Sequence, residues 1–267
     1  MSRIAIDAMG GDYAPQAIVE GALWAAQEYG VGLELVGRED EIKSELERIK
    51  NAGCIYSDCG TKGHRRRIKI DLDKIDYTIT HASEVIGMRE AVGQSIRKKK
   101  DSSIVASVRA VAEGRCDAVV SAGSTGAAMA ASLFGLGRIH GVTRPAIAVT
   151  IPTMKEPVVL IDGGANSDCT PEMLTQFAEM GAAYAKYIIG IENPKVGILS
   201  IGEEEGKGNA LVKETYPLLK DMHEQGRIDF VGNIEGKELF INKCDVVVCD
   251  GFAGNVALKV TEGTASM

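Results

Sequence analysis

Apolar residues along the chain gather into short β-rich runs, separated by longer stretches in which they recur every three or four positions. The runs "RIAIDA" (3 to 8), "LELVG" (33 to 37), "DAVVSAG" (117 to 123), "AIAVTI" (146 to 151), "VVLIDGG" (158 to 164), "VGILSIG" (196 to 202) and "DVVVCDG" (245 to 251) read as strands. Ile18, Ala22, Ala25 and Tyr29 follow Pro15 at helical spacing, and Leu174, Phe177, Gly181, Tyr184 and Ile188 follow Pro171 in the same way. Thr170 and Pro171 read as an N-cap followed by proline at the first helical position. Runs such as "DVVVCD" are apolar without alternation, which suits strands buried on both faces of a parallel sheet. The pattern therefore predicts an α/β protein of three α/β/α layers, with a mostly parallel sheet between helices. With no Pro/Ser-rich linker, repeat or low-complexity tract to mark a boundary, a single body over residues 1–267 is expected.

In such sheets ligands bind beyond the carboxyl ends of the strands. Five strand-to-helix junctions are alike in being built from glycines with small polar or acidic neighbours. They are "DAMGGD" (7 to 12), "SAGSTGA" (121 to 127), "DGGANSD" (162 to 168), "SIGEEEGKGN" (200 to 209) and "CDGFAGN" (249 to 255). Glycine there permits tight turns, and the amides of a following helix can face an anion. One such turn is ordinary structure. Five on the same edge of one sheet would point to a shared ligand site. No junction reads G-x-G-x-x-G with an acidic residue about 20 positions later, and no G-x-x-x-x-G-K-[ST] is present. Glu203, Glu204 and Glu205 ahead of Lys207 would repel a triphosphate. A small anion held by amides, Ser124, Thr125 and a nearby cation fits better.

The four histidines, His64, His81, His140 and His223, lie outside the glycine junctions, so no Ser-His-Asp arrangement is legible. Cys169 stands before a helix N-terminus, where the dipole lowers a thiol pKa, but cysteine is among the most often buried residues and the structural reading is preferred.

Composition narrows the classes. With 45% hydrophobic and 25% charged residues the chain can bury an ordinary globular core, and its net charge of −7 argues against a general nucleic-acid role. No charged n-region with an apolar core opens the chain, and no apolar stretch reaches the roughly 18 residues of a membrane span. The expected location is cytoplasmic, at most peripheral to the inner face of the membrane. Six cysteines without an export signal read as reduced thiols. Cys54, Cys59 and His64 form C-x4-C-x4-H, but no fourth ligand lies nearby and no metal is expected. Two basic runs, "KGHRRRIK" (62 to 69) and "RKKK" (97 to 100), are either solvated faces or landing sites for an acidic or phosphorylated partner.

From residue 3 to residue 263, "IAIDAMGGDYAP", "KKDSSI", "DAVVSAGSTGA", "RPAIAV", "IDGGANSDC", "IGEEEGKG", "GNIEGKE" and "CDGFAGNVALK" resemble, in order, the motifs of the bacterial phosphate acyltransferases of phospholipid synthesis, the PlsX family. The resemblance implies transfer of a fatty acyl group from acyl carrier protein to orthophosphate, without a cofactor. It also implies a fold similar to isocitrate and isopropylmalate dehydrogenases and to phosphotransacetylase, and a homodimer peripheral to the membrane. The acyl phosphate formed would feed a membrane glycerol-3-phosphate acyltransferase.

On that reading phosphate is itself the nucleophile, and the protein supplies positioning and charge. Gly123, Ser124, Thr125 and Gly126, with Arg144 or Lys207, are expected to orient phosphate, and Gly163, Gly164 and Asn166 to donate to the tetrahedral oxyanion. Gly10, Gly11, Asp12, Gly202, Gly251 and Asn255 complete the expected binding set, and Asp7, Asp162, Asn166, Asp168, Lys207 and Asp250 are the catalytic candidates. Asp7, Asp12, Asp162, Asp168 and Asp250 are too many carboxylates for one phosphate, so some are expected to order loops by accepting amides and one to steer a proton. Lys98, Lys99 and Lys100 are expected to dock the acidic carrier, or else to lie solvated while Asp101 or Ser102 caps a helix from near Ser103.

The chain departs from the family at Ser124, where asparagine is usual, at Ser167, where an apolar residue is usual, and over "GMREAVGQSI" (87 to 96). It also ends at Met267 where the family continues, so a shortened chain is expected. Two rivals share parts of this chemistry: a phosphotransacetylase-like enzyme using acyl-CoA, and a non-catalytic regulator that binds acyl carrier protein.

Overall fold

A computed structural model describes residues 1–58, 65–265 and 267. It divides into two compact units, Met1–Gly137 and Arg138–Met267, each with its own sheet and core. The five glycine junctions are divided as well, two on the first sheet and three on the second.

The first unit runs β1 (Arg3–Asp7), α1 (Gln16–Tyr29), β2 (Gly32–Gly37), α2 (Glu39–Ala52), β3 (Cys54–Asp58), β4 (Arg65–Lys69), β5 (Tyr77–His81), α3 (Val92–Lys98), α4 (Ser103–Ala112), β6 (Ala118–Val120) and α5 (Thr125–Gly135). Its main sheet has the order β5-β2-β1-β6, all parallel, and β3 and β4 form a separate antiparallel pair. Strand alternation sends Ile6, Leu33 and Leu35 against α1 and α2, while Ala5 packs with Ala110 and Val36 with Ala106 of α4. These are the three layers. On α1 the buried face is Val19, Ala22, Leu23 and Ala26, one position round from the expected stripe, because the bulkier Val19 and Leu23 take the core and Tyr29 is left 75% exposed.

The second unit runs β7 (Ala148–Ile151), β8 (Val158–Ile161), α6 (Pro171–Tyr184), β9 (Lys195–Ser200), α7 (Ala210–Glu224), β10 (Asp229–Glu235), β11 (Val246–Val248) and α8 (Gly251–Ala265). The sheet order is β10-β9-β11-β8-β7, parallel except for the antiparallel edge strand β7. Val159, Ile161, Val196 and Val246 face α6 and α7, where Phe177 and Leu219 are fully buried; Val158, Leu160 and Val247 face the other way, towards Ala253 and Ala257 of α8. Burying a phenylalanine such as Phe177 is worth about 1.5–3 kcal/mol. The expected α6 stripe holds at Leu174, Phe177 and Gly181, then fails at Ile188, 67% exposed, because the helix widens into a π turn over Ala185–Ile189. Thr170 caps α6 as expected, its Oγ1 accepting the Met173 amide at 3.4 Å ahead of Pro171.

No described helix is long and apolar enough to cross a membrane. Cys59 and His64 of the C-x4-C-x4-H stretch, and Lys62 of the first basic run, lie outside the described residues.

Candidate active site

In the first unit the β1–α1 and β6–α5 junctions press directly on each other. A β-carbon on Gly10 would stand 2.5 Å from Asp7 Oδ2 and 2.9 Å from the Gly123 amide nitrogen, and one on Gly11, at φ 107°, would meet the Ala122 carbonyl oxygen at 3.0 Å. These glycines therefore serve the approach of one loop to another. Asp7, 3% exposed, accepts the Ser121 hydroxyl on Oδ2 at 2.7 Å, and Ser121 Oγ in turn accepts the Gly123 amide at 3.1 Å. Asp7 Oδ1 is buried with no hydrogen-bond partner among the described residues. Ser121 is the residue that sequence reasoning passed over, although it sits inside a stretch already singled out. Its position after an apolar strand and directly before a glycine turn is the signal that marks it.

The same junction opens α5. Ser124 is its N-cap and its hydroxyl accepts the Ala127 amide at 3.4 Å, so this side chain is turned to its own helix. The amides of Ser124, Thr125 and Gly126 have no acceptor among the described residues, and Thr125 is exposed. Such a set of donors at a helix start can receive an anion. Gly126 packs under Val92, at 3.1 Å from where its β-carbon would be, and Asp12 is exposed at the far end of the β1–α1 junction.

In the second unit Asp162 is the hub of a closed loop. Its Oδ1 accepts the amides of Ile147, Gly164 and Ala165 at 3.0, 3.1 and 2.9 Å, and its Oδ2 accepts the Asn166 amide and side-chain Nδ2, both at 2.8 Å. The side chain is 0% exposed. Asp162 is thus one of the carboxylates that order loops, with no oxygen left for substrate. The donors expected to hold the oxyanion are spent in the same loop: Gly163 N on Ile147 O at 2.8 Å, Gly164 N on Asp162, and Asn166 Nδ2 on Asp162 and Pro145 O. In this structure Gly163, Gly164 and Asn166 therefore direct these donors into their own loop.

The "CDGFAGN" junction locks onto this loop. Gly251 donates to Asn166 O at 2.7 Å, a β-carbon on Gly254 would collide with Asp162 O, and Asp250 Oδ1 accepts the Ala253 amide at 2.8 Å in the first turn of α8. Asn255 is exposed, with its Oδ1 3.4 Å from where a Gly164 β-carbon would stand. Asp168 is exposed and takes a 3.3 Å hydrogen bond from Ser167. At the β9–α7 junction the Lys207 stem lies over Gly202, leaving the ammonium exposed and without an ion pair among the described residues. Asn233, in "GNIEGKE", steadies that junction by donating to Glu204 O at 2.7 Å. Arg144 is exposed on the segment that Asn166 and Asp162 tie down at Pro145 and Ile147.

Cys169 donates to Asn166 O at 3.4 Å, and burial first, then the carboxylates of Asp162 and Asp250, pushes its thiol up to about 11. That is the wrong direction for a nucleophile. In the basic run, Lys98 and Lys100 are exposed but Lys99 is not free, since its Nζ is bound to Glu90 and to Val85 O. Neither expected cap forms at α4: Asp101 accepts from the Ser83 amide and hydroxyl, and Ser102 Oγ is buried without a partner among the described residues.

A family model described as "Fatty acid synthesis protein" matches residues 2–56 and 63–267. The phosphate acyltransferase of Desulforamulus reducens is 51% identical over 265 residues, covering 99% of this chain and 72% of that protein. That of Pelotomaculum thermopropionicum is 52% identical over 263 residues, 98% of this chain and 69% of the relative. Among solved structures, a phosphotransacetylase from Streptococcus pyogenes superimposes with a TM-score of 0.66 at 17% identity, and EutD phosphotransacetylase from Staphylococcus aureus with 0.63 at 16%. Each covers 99% of this chain and 82% of the other. At such identities the likeness is one of fold.

Proposed function

Because the chain belongs to the fatty acid synthesis protein family, whose phosphate acyltransferase members make it an acyltransferase, we propose that it transfers a fatty acyl group from acyl carrier protein to orthophosphate. The product is an acyl phosphate for phospholipid synthesis. The observation that carries this reading is half-identity, over nearly the whole chain, to proteins named for acyl transfer to phosphate.

The chemistry asks little of a covalent nucleophile. A phosphate oxygen attacks the thioester carbonyl, the new C–O bond forms, the C–S bond breaks, and the carrier thiolate leaves and takes up the proton that phosphate gives up. The first unit offers the unpaired amides of Ser124, Thr125 and Gly126 to an anion, held in place by the Asp7–Ser121–Gly123 chain. The second offers Lys207 and Arg144, two exposed cations beside junctions that Asp162 and Asn233 keep rigid. Lys98 and Lys100 form a basic point for an acidic carrier. The acyl phosphate, apolar at one end, suits an enzyme working as a homodimer at the membrane surface and handing its product to a membrane acyltransferase.

The test is incubation with long-chain acyl carrier protein and labelled orthophosphate, scoring hydroxylamine-sensitive acyl phosphate, with acyl-CoA as a parallel donor. Product from the carrier thioester is expected. Product only from acyl-CoA would replace the donor, and none from either, with the protein folded, would overturn the proposal.

A further inference from the structure

The segment 85–90, between β5 and α3, is fastened rather than loose. Lys99 Nζ donates to Val85 O at 2.7 Å and to Glu90 Oε1 at 2.6 Å. Glu90 Oε1 also accepts the Gly87 amide at 2.9 Å, and its Oε2 accepts the Ser95 hydroxyl at 2.9 Å. One ammonium and one carboxylate thus grip the start, the middle and the end of the segment. The Lys99 ammonium foremost, with the Gly87 amide and Ser95, holds the Glu90 carboxyl down at about 2.

The other side of this segment closes a cavity of about 450 Å³ against Met9, Gly11 and Asp12 of the β1–α1 junction. Three charged residues line it: Arg89, Asp12 and Glu90. Glu90 is neutralised by Lys99. Arg89 and Asp12 have no ion-pair partner among the described residues, so a cationic and an acidic residue, both without an ion pair, line one cavity.

We propose that this cavity is a subsite for a phosphate-class anion with Arg89 as its cation, and that Lys99 is a positioning residue that holds its wall through Glu90. The inference rests on the acyl transfer to phosphate proposed above. A guanidinium presents paired donors to phosphate oxygens. Asp12 sharpens the choice of anion. Orthophosphate near neutral pH carries a proton that a carboxylate can accept, whereas sulfate and the phosphodiester of a carrier-bound pantetheine arm carry none. Orthophosphate is therefore the favoured occupant, and the diester is the competing source of the same chemistry. Lys99, adjacent to two exposed lysines, has a different task from theirs: it shapes the wall, and they face solvent.

The experiment compares wild type with Arg89→Ala, Lys99→Met and Lys99→Arg. Binding of labelled orthophosphate is measured by equilibrium dialysis, KM for phosphate and for the acyl donor by separate titrations, and hydrogen exchange at the Gly87 amide by NMR. Arg89→Ala and Lys99→Met are expected to weaken orthophosphate binding and raise its KM by about tenfold with kcat nearly unchanged. Lys99→Met is also expected to speed exchange at Gly87, and Lys99→Arg to restore protection and KM in part. A rise in the donor KM instead of the phosphate KM would assign the subsite to the diester. Unchanged binding and unchanged KM for both substrates would overturn the subsite, and a Lys99→Met defect without faster exchange at Gly87 would overturn the positioning role. Wild type that binds orthophosphate but yields no acyl phosphate would sink the proposed reaction and leave the subsite standing.

Discussion

Gly251 sits so close to Asn166 that a β-carbon on it would stand 2.7 Å from the Asn166 carbonyl oxygen, the same oxygen that the Gly251 amide binds at 2.7 Å. The start of α8 and the "DGGANSD" loop are therefore one mechanical piece. Gly251→Ala is expected to cost about 1–3 kcal/mol by overpacking. Gly263→Ala, in the same helix but with nothing among the described residues within 4 Å of its added carbon, is expected to gain about 0.5–1 kcal/mol. Urea unfolding of the two variants checks both signs at once.

Asp162 should behave as scaffold. Asp162→Asn keeps the shape but sets an NH2 group against amide donors, leaving buried groups unpaired, and is expected to cost about 3 kcal/mol. Thermal melts read the loss directly, and the activity that survives in the folded fraction should fall with it. A variant as stable as wild type would contradict the loop geometry.

The fold and the site were unequally legible. Thr170–Pro171 and the apolar runs at 158–161 and 246–248 announce themselves because local capping and burial on two faces leave a mark in adjacent residues. Strand β5, "YTITH", and strand β10, "DFVGNIE", escaped, being half-buried or interrupted by Gly232 and Asn233. The division into two units has no compositional trace, since the chain around Gly137 reads like any other turn. At the site, residue types were legible and partners were not. Whether Gly10 meets a ligand or Asp7 is decided by residue 123, more than a hundred positions away. Lys98, Lys99 and Lys100 are alike in sequence, and only the path of the chain past Val85 and Glu90 separates the middle one.

Cys169 is expected to be dispensable for chemistry. With its thiol raised to about 11, Cys169→Ala should keep kcat within about twofold, and mass spectrometry of the quenched wild-type enzyme should find no acyl-cysteine. Trapped acyl-Cys169 would require a covalent route.

Lys98→Glu with Lys100→Glu is expected to slow association with acyl carrier protein, most at low salt, and to leave phosphate KM alone. Stopped-flow association across a salt series measures this. An unchanged slope against salt would place docking elsewhere.

Glu90 ties stability to acid. Its pKa in the folded protein is lowered from 4.5 to about 2, so its contribution is fully present above 4.5 and is lost as pH falls through about 2. Wild type should therefore melt above Glu90→Gln at pH 6, with the two curves converging as pH approaches 2. Parallel curves throughout would deny the Lys99–Glu90 contact.

The interlocked glycines set a rule for redesign. Because Gly10 is fitted to Asp7 and Gly123, and Gly251 to Asn166, neither member of a loop pair can be exchanged without its mate. A chimera that imports one loop from a relative inherits half of a dovetail, whereas one that imports both moves a finished joint. Altered substrate choice should accordingly be sought at the side chains the joint leaves free, Thr125, Asp12 and Arg89 among them, and not in the glycines that first draw the eye.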